Sequence, residues 1–275
     1  MLTRAIPASG ERLPVIGCGT YRGFDVAPGS SGHGQLPQVL LTLFAAGGTV
    51  IDSSPMYGRA EATVGELLAQ PAEPRAFLAT KVWTRGRDAG IAQMQRSMQL
   101  MQSDCIDLMQ VHNLVDYKIH LKTLRDWKQG SRIRYLGVTH YTSSAHADLE
   151  AVMRAEPLDF VQLNYSIADR AAEERLLPLA AERGIAVLAN LPLGSGGVLR
   201  SVAGVALPAW AADLACTTWA QLFLKFVVAH PAVTCAIPGT GKAPHMADNA
   251  RAGEGPMPDA AQRQRIVTCW NDLRG

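Results

Sequence analysis

Seven short apolar runs recur along the chain, and the first three end on residues able to do chemistry. They are Val50-Ile51-Asp52, Phe77-Leu78-Ala79-Thr80-Lys81 and Leu108-Met109-Gln110-Val111-His112. Their last residues lie 29 and 31 positions apart, room for one strand, one helix and two loops in each interval. Leu136-Gly137-Val138-Thr139, Phe160-Val161-Gln162-Leu163-Asn164, Ile185-Ala186-Val187-Leu188-Ala189 and Val233-Thr234-Cys235-Ala236-Ile237 continue the series. Runs this apolar, alternating with helical patterns, mark parallel strands covered on both faces. An earlier run, Val15-Ile16-Gly17-Cys18-Gly19, brings the count to eight. Eight such units predict an α/β fold, a closed (β/α)8 TIM barrel, with its active site at the carboxyl ends of the strands. Those ends here read Asp, Lys and His.

One barrel takes about 250 residues, so the 275 residues present are expected to form a single domain over 1–275. A net charge of +2, with the basic residues scattered, leaves no electrostatic footprint for nucleic acid or a membrane surface. The apolar stretch 222–229 is interrupted by Lys225 and is too short to span a bilayer. Met1 to Pro7 lacks the apolar core of a signal peptide. Five cysteines, at 18, 105, 216, 235 and 269, form no CxxC pair and read as reduced thiols. A cytoplasmic monomer acting on a small molecule is expected.

A turn-rich Ala8-Ser9-Gly10-Glu11 within residues 3–14 predicts a hairpin that plugs the amino end of the barrel. Gly29 to Gly34 is expected to be a flexible loop before a helix over 36–46. Apolar residues at three- and four-residue spacing predict helices near 61–69, 90–102, 119–129, 145–155, 171–183, 216–229 and 244–252, and a last one over 260–273. Residues 191–215, rich in glycine and proline, break this rhythm and are expected to form a long loop of the kind that serves as a lid.

Asp52, Tyr57, Lys81 and His112 carry the chemistry. Each alone has an ordinary reading, as half of an ion pair, a packing ring or a satisfied imidazole. Together they make a proton donor. A phenol titrates near pH 10, too high for easy proton donation. A neighbouring ammonium lowers that value, and a carboxylate holds the ammonium in place. An imidazole nearby can orient a carbonyl oxygen and stabilise charge building on it. Such a set suits carbonyl reduction with hydride from a cofactor.

The chain resembles the aldo-keto reductases over nearly its whole length. The resemblance rests on Gly17-Cys18-Gly19-Thr20-Tyr21, Ile51-Asp52-Ser53-Ser54-Pro55-Met56-Tyr57-Gly58 followed by Glu61, and Thr80-Lys81-Val82-Trp83. It continues through Asp107 to His112, Ile133 to Val138, Val161 to Tyr165, Pro192-Leu193-Gly194 and Ile237-Pro238-Gly239-Thr240. It implies a catalytic tetrad of Asp52, Tyr57, Lys81 and His112, with Tyr57 as general acid, and no metal. It implies an NADPH site, with NADH the alternative. Thr139, His140 and Gln162 fall where the nicotinamide carboxamide is held, and Gly19, Thr20 and Asp52 lie beside them. Asn190, Leu191, Leu193 and Gly194 follow the seventh strand. Ile237, Pro238, Gly239, Thr240, Lys242 and His245 form the adenosine-phosphate loop, and Asp248 and Asn249 face the adenine. Substrate would meet Tyr21, Tyr57, Trp83, His112 and Asn113, with Phe24 a further candidate.

Three positions depart from the family pattern. Asn190 replaces an aromatic ring that stacks on the nicotinamide. Gly239 and His245 replace a lysine and an arginine that grip the 2′-phosphate, which leaves Thr240, Lys242 and His245 as a thinner clamp. Other chemistries compete with reduction. Lys81 could serve a lyase as a Schiff base, although a paired Asp52 would keep it charged. Asp52, His112 and His140 could serve a metal-dependent hydrolase, although no HxH pair lies on one strand. A binder that senses nicotinamide with little turnover is the fourth reading.

Overall fold

The computed structural model describes residues 1–69 and 74–274. A hairpin of β1 (Thr3–Ala5) and β2 (Arg12–Pro14) precedes eight parallel strands. These are β3 (Cys18–Gly19), β4 (Val50–Asp52), β5 (Phe77–Val82), β6 (Ile106–His112), β7 (Ile133–Thr139), β8 (Phe160–Asn164), β9 (Ala186–Asn190) and β10 (Cys235–Ala236), each bonded to the next in chain order. Gly17 N–H donates to Ala236 O at 2.9 Å, and Ala236 N–H donates to Val15 O at 2.8 Å. The last strand therefore meets the first, and the barrel closes.

Helices α1 (Ser31–Ala45), α2 (Ala60–Leu68), α3 (Arg87–Leu100), α4 (Tyr117–Gln129), α5 (His146–Ala155) and α6 (Leu176–Arg183) return the chain between successive strands. The short α7 (Gly197–Ser201) and then α8 (Trp219–Ala229) follow β9, while α9 (Ala243–Arg251) and α10 (Ala260–Asp272) follow β10. None of the helices described is long and apolar enough to cross a membrane.

Side chains alternate in and out along a strand, and that period sorts the barrel interior into two zones. Val50, Phe77, Ala79, Leu108, Tyr135, Phe160, Ala186, Leu188 and Cys235 form a buried apolar cluster, sealed by Ile6 and Leu13 of the hairpin. Continuing the strands in steps of two on the same face gives Asp52, Lys81, Gln110 then His112, Gly137 then Thr139, Gln162 and Asn190. The amino half of the interior is thus apolar and plugged. The carboxyl half is polar.

The structure corrects four expectations. The loop over 29–34 is shorter than predicted, because α1 begins at Ser31 with Ser30 as its cap, accepting from His33 N–H at 3.2 Å. One capping bond outweighs the poor helix propensity of Gly32 and Gly34. The helix predicted over 171–183 is interrupted: a 3-10 turn covers Ala171–Glu173, and α6 starts only at Leu176. Residues 191–215 are not a bare loop. They fold into 3-10 turns at Gly194–Gly196 and Ala209–Leu214 around α7, and they bury Val198, Val202, Ala211 and Leu214. Phe24, a candidate substrate contact, is fully buried in the main core and does not reach the barrel mouth.

Ile6 is fully buried against the interior cluster. Ile6→Ala is expected to destabilise the fold by about 2–5 kcal/mol, read as a lower urea midpoint with an unchanged slope. An unchanged midpoint would show that the hairpin contributes nothing to the barrel.

Candidate active site

Lys81 and Asp52 form a buried ion pair at the polar end of the barrel. Lys81 Nζ donates to Asp52 Oδ2 at 2.7 Å and to Ser53 O at 2.6 Å, and Lys81 is 0% exposed. The other carboxylate oxygen, Oδ1, accepts from Gln162 Nε2 at 2.9 Å and Gln110 Nε2 at 3.3 Å. Burial pulls the Lys81 ammonium down, but Asp52 and then Tyr57 more than reverse this, and its net shift is upward. Lys81 is charged and has no lone pair to offer. A Schiff base at this lysine has no support in this geometry.

Tyr57 lies at the end of a turn after β4. Its N–H donates to Ser54 O at 3.0 Å, and its carbonyl accepts from Ala60 N–H, the first residue of α2, at 3.0 Å. Gly58 takes φ +58°, and a Cβ there would strike the Asp25 carboxylate. That carboxylate accepts from Arg59 N–H at 2.9 Å, so Asp25 fixes the turn that aims the phenol. Lys81 Nζ stands 5.2 Å from the centre of the Tyr57 ring. The expected lowering of the phenol is reversed in sign. Burial raises it, and Lys81, the largest opposing influence, offsets only part of that rise. Tyr57 therefore keeps its proton at neutral pH.

His112 ends β6, and among the described residues its buried Nδ1 has no partner. Burial first, then Lys81 and His140, push its imidazole down to about 3. A neutral imidazole beside a neutral phenol and a locked ammonium is an arrangement for donating to, and polarising, a neutral oxygen acceptor.

The residues that resemble a nicotinamide site cluster next to this group. Thr139 donates to Gln162 Oε1 at 3.1 Å, and Asn190 Nδ2 donates to His140 O at 3.2 Å and toward the same Gln162 oxygen at 3.5 Å. His140 Nδ1 accepts from the N–H groups of Tyr141 at 3.1 Å and Thr142 at 3.4 Å. Its proton therefore sits on Nε2, which leaves a donor there. Thr20 is fully buried, with its hydroxyl donating to Asp52 O at 3.0 Å and lying 2.9 Å from Ser53 Oγ. Gly19 pairs with Gly239 across the closing seam. Beyond it, α9 starts at Ala243 with Lys242 as an N-cap that makes no side-chain bond and no acid in its first turn. Lys242 and His245 are exposed there. Asp248 is occupied elsewhere, accepting from Thr218 Oγ1 at 2.9 Å and Gln221 Nε2 at 2.6 Å.

The sequence profile of the Aldo/keto reductase family matches residues 15–270. The chain belongs to the aldo/keto reductase family. Methylglyoxal reductase YeaE of Escherichia coli (strain K12) is 28% identical over an alignment 261 residues long that covers 91% of this chain and 89% of that one. The crystal structure of an aldo-keto reductase from Klebsiella pneumoniae in complex with NADPH shares the fold with a TM-score of 0.83 at 24% identity, covering 98% of this chain and 96% of the other. The holo form of aldo-keto reductase AKR11C1 from Bacillus halodurans has a TM-score of 0.77 at 21% identity, covering 98% and 96%.

On this family scaffold the remaining sequence candidates lie at the barrel rim. Tyr21 is 52% exposed with its ring 5.0 Å from that of Tyr57, and Trp83 lies edge-on to His112 at 6.3 Å. Asn113, at φ 52°, follows His112, and its buried side-chain oxygen has no partner among the described residues. Leu191 and Gly194 take φ 49° and 54° in the turn after Asn190. Asp52, His112 and His140 do not gather as the hydrolase reading requires: among the described residues no three His, Cys, Asp or Glu side chains converge as a metal site. Sequence reasoning missed Gln110 and Ser53, which hold the ion pair. Gln110 had a signal, since it is the polar residue two before His112 in an otherwise apolar run and so shares its face.

His112 should remain neutral across ordinary assay conditions. An NMR titration of its ring protons is expected to show no inflection between about pH 5 and pH 8. One near the usual imidazole value would contradict the burial argument. Because the unfolded chain takes up this proton at about pH 6.5 and the folded one only at about 3, the fold loses stability as pH falls through that window.

Proposed function

We propose that this chain is an NADPH-dependent oxidoreductase that reduces aldehydes or ketones to alcohols, with Tyr57 as the proton donor. The observation that carries the reading is a half-buried phenol whose ring centre lies 5.2 Å from a fully buried ammonium that Asp52 locks in place. When bound, the reduced nicotinamide supplies the hydride to the carbonyl carbon. Tyr57 gives its proton to the carbonyl oxygen, and the Lys81 charge stabilises the phenolate left behind. Asp52 keeps that charge fixed and prevents Lys81 from swinging away. His112, neutral, orients the carbonyl oxygen by a hydrogen bond and cannot compete with it as a cation.

The residues present fit the cofactor. Thr139, the Nε2–H of His140, Gln162 and Asn190 would hold the carboxamide. The uncapped start of α9, flanked by Lys242 and His245, suits a phosphate. A side chain at position 239 has little room, since its Cβ would lie 3.1 Å from Gly19 O. The grip on the 2′-phosphate therefore falls to Thr240, Lys242 and His245. The Klebsiella pneumoniae structure in complex with NADPH and the methylglyoxal reductase relative support the reading.

Two measurements test it. Tyr57→Phe is expected to lower kcat/KM for aldehydes by about 10²–10⁴ while NADPH still quenches tryptophan fluorescence at the same concentrations. Full activity in that variant would remove Tyr57 as the acid. Titrations with NADPH and NADH are expected to favour NADPH by about tenfold, or 1.4 kcal/mol, with Lys242→Ala narrowing the gap. Equal or tighter NADH binding would reassign the cofactor.

A further inference from the structure

A third exposed aromatic ring stands at the barrel mouth, and neither the sequence motifs nor the catalytic set accounts for it. Tyr141 lies in the loop after β7 and is 49% exposed, matching Tyr21 and Trp83. Its ring is nearly parallel to that of His112, with centroids 6.3 Å apart and planes at 21°. It also lies parallel to His140 at 5.7 Å and 14°. Trp83 meets the same His112 ring edge-on, at 77°. The imidazole that would hold the carbonyl oxygen is therefore bordered by one aromatic face and one aromatic edge.

The Tyr141 hydroxyl is not committed to the fold. The hydroxyl groups of the structural tyrosines are used: Tyr135 donates to Glu11 at 2.6 Å, and Tyr165 bonds Glu173 and Arg263. Among the described residues the Tyr141 hydroxyl has no partner, and the residue's one hydrogen bond runs from its backbone N–H to His140 Nδ1. Leaving a ring face in water forgoes its burial energy, which a flat ligand laid against it recovers.

We propose that Tyr141 is a specificity-determining residue whose ring face forms the third wall of the carbonyl pocket. It selects aldehydes and ketones whose carbonyl is attached to a flat aromatic ring. The proposal rests on the reductase reading above. Such a ring stacks on Tyr141 while its carbonyl oxygen reaches His112 and Tyr57, whereas a short alkyl chain gains nothing from that face. A stacking contact of this kind is worth about a factor of ten at most.

The test compares 4-nitrobenzaldehyde with propanal in wild type, Tyr141→Ala and Tyr141→Phe. The ratio of kcat/KM for the aryl over the alkyl aldehyde is expected to fall about tenfold in Tyr141→Ala and to stay within about twofold in Tyr141→Phe. Dead-end binding of 4-nitrobenzyl alcohol to the NADPH-loaded protein, read by fluorescence, is expected to weaken by the same factor without any turnover. An unchanged ratio and unchanged alcohol binding in Tyr141→Ala would overturn the proposal. So would a loss confined to NADPH affinity, which would place the ring with the cofactor. If wild type reduced neither aldehyde, the reductase reading would fail, and the alcohol titration would still judge Tyr141.

Discussion

A lysine that water cannot reach must find its counter-charge inside the protein, and Lys81 finds it in Asp52 at 2.7 Å. The rest of the polar end is arranged around that pair. Gln110 and Gln162 reach the second carboxylate oxygen, Ser53 O takes another ammonium proton, and Thr20 ties the Asp52 backbone to β3. Removing one partner of such a pair leaves an uncompensated buried charge, which costs about 3–5 kcal/mol. The second buried lysine of the chain shows what the carboxylate does. Lys225 is as buried as Lys81 but bonds only carbonyl oxygens, those of Glu254 and Pro256. Burial lowers the Lys225 ammonium, whereas the Lys81 ammonium is raised. Both lysines are closed to water, and the neighbour decides the sign.

The ion pair is affordable at that depth only because the barrel is divided along its axis. Its amino half is closed by Ile6 and Leu13 over Phe77, Tyr135 and Phe160. On the outer rim of that half, Asp107 accepts from Arg75, Arg134 and Leu78 N–H, and Arg134 also holds Glu11 of the hairpin loop. Water is thus excluded from below. The polar half opens only at the mouth, where Tyr57 and His112 stand with the rim aromatics. This dryness also explains why Tyr57 and His112 are both held neutral: low polarity penalises phenolate and imidazolium alike.

Much of this was legible in the sequence. Eight runs with helical patterns between them specified the barrel, and their spacing placed Asp52, Lys81 and His112 at the carboxyl ends of their strands. Local signals failed where a single contact overrode composition. Ser30 started α1 inside a glycine-rich stretch, and residues 191–215, punctuated like a loop, buried four apolar side chains and became helical turns. Phe24 read as a rim aromatic only because sequence carries no depth.

The sequence alone determined which residues share the strand ends, because spacing and periodicity are properties of the chain itself. Tertiary structure decided what those residues are. Whether Tyr57 is pulled down by Lys81 or pushed up by burial depends on how much water the folded mouth admits. Whether His140 donates from Nε2 depends on where the Tyr141 and Thr142 amides land. That Tyr141 faces His112 at all depends on one loop lying beside another strand. Protonation and stacking are set by neighbours distant in the chain, and only the closed barrel brings those neighbours together.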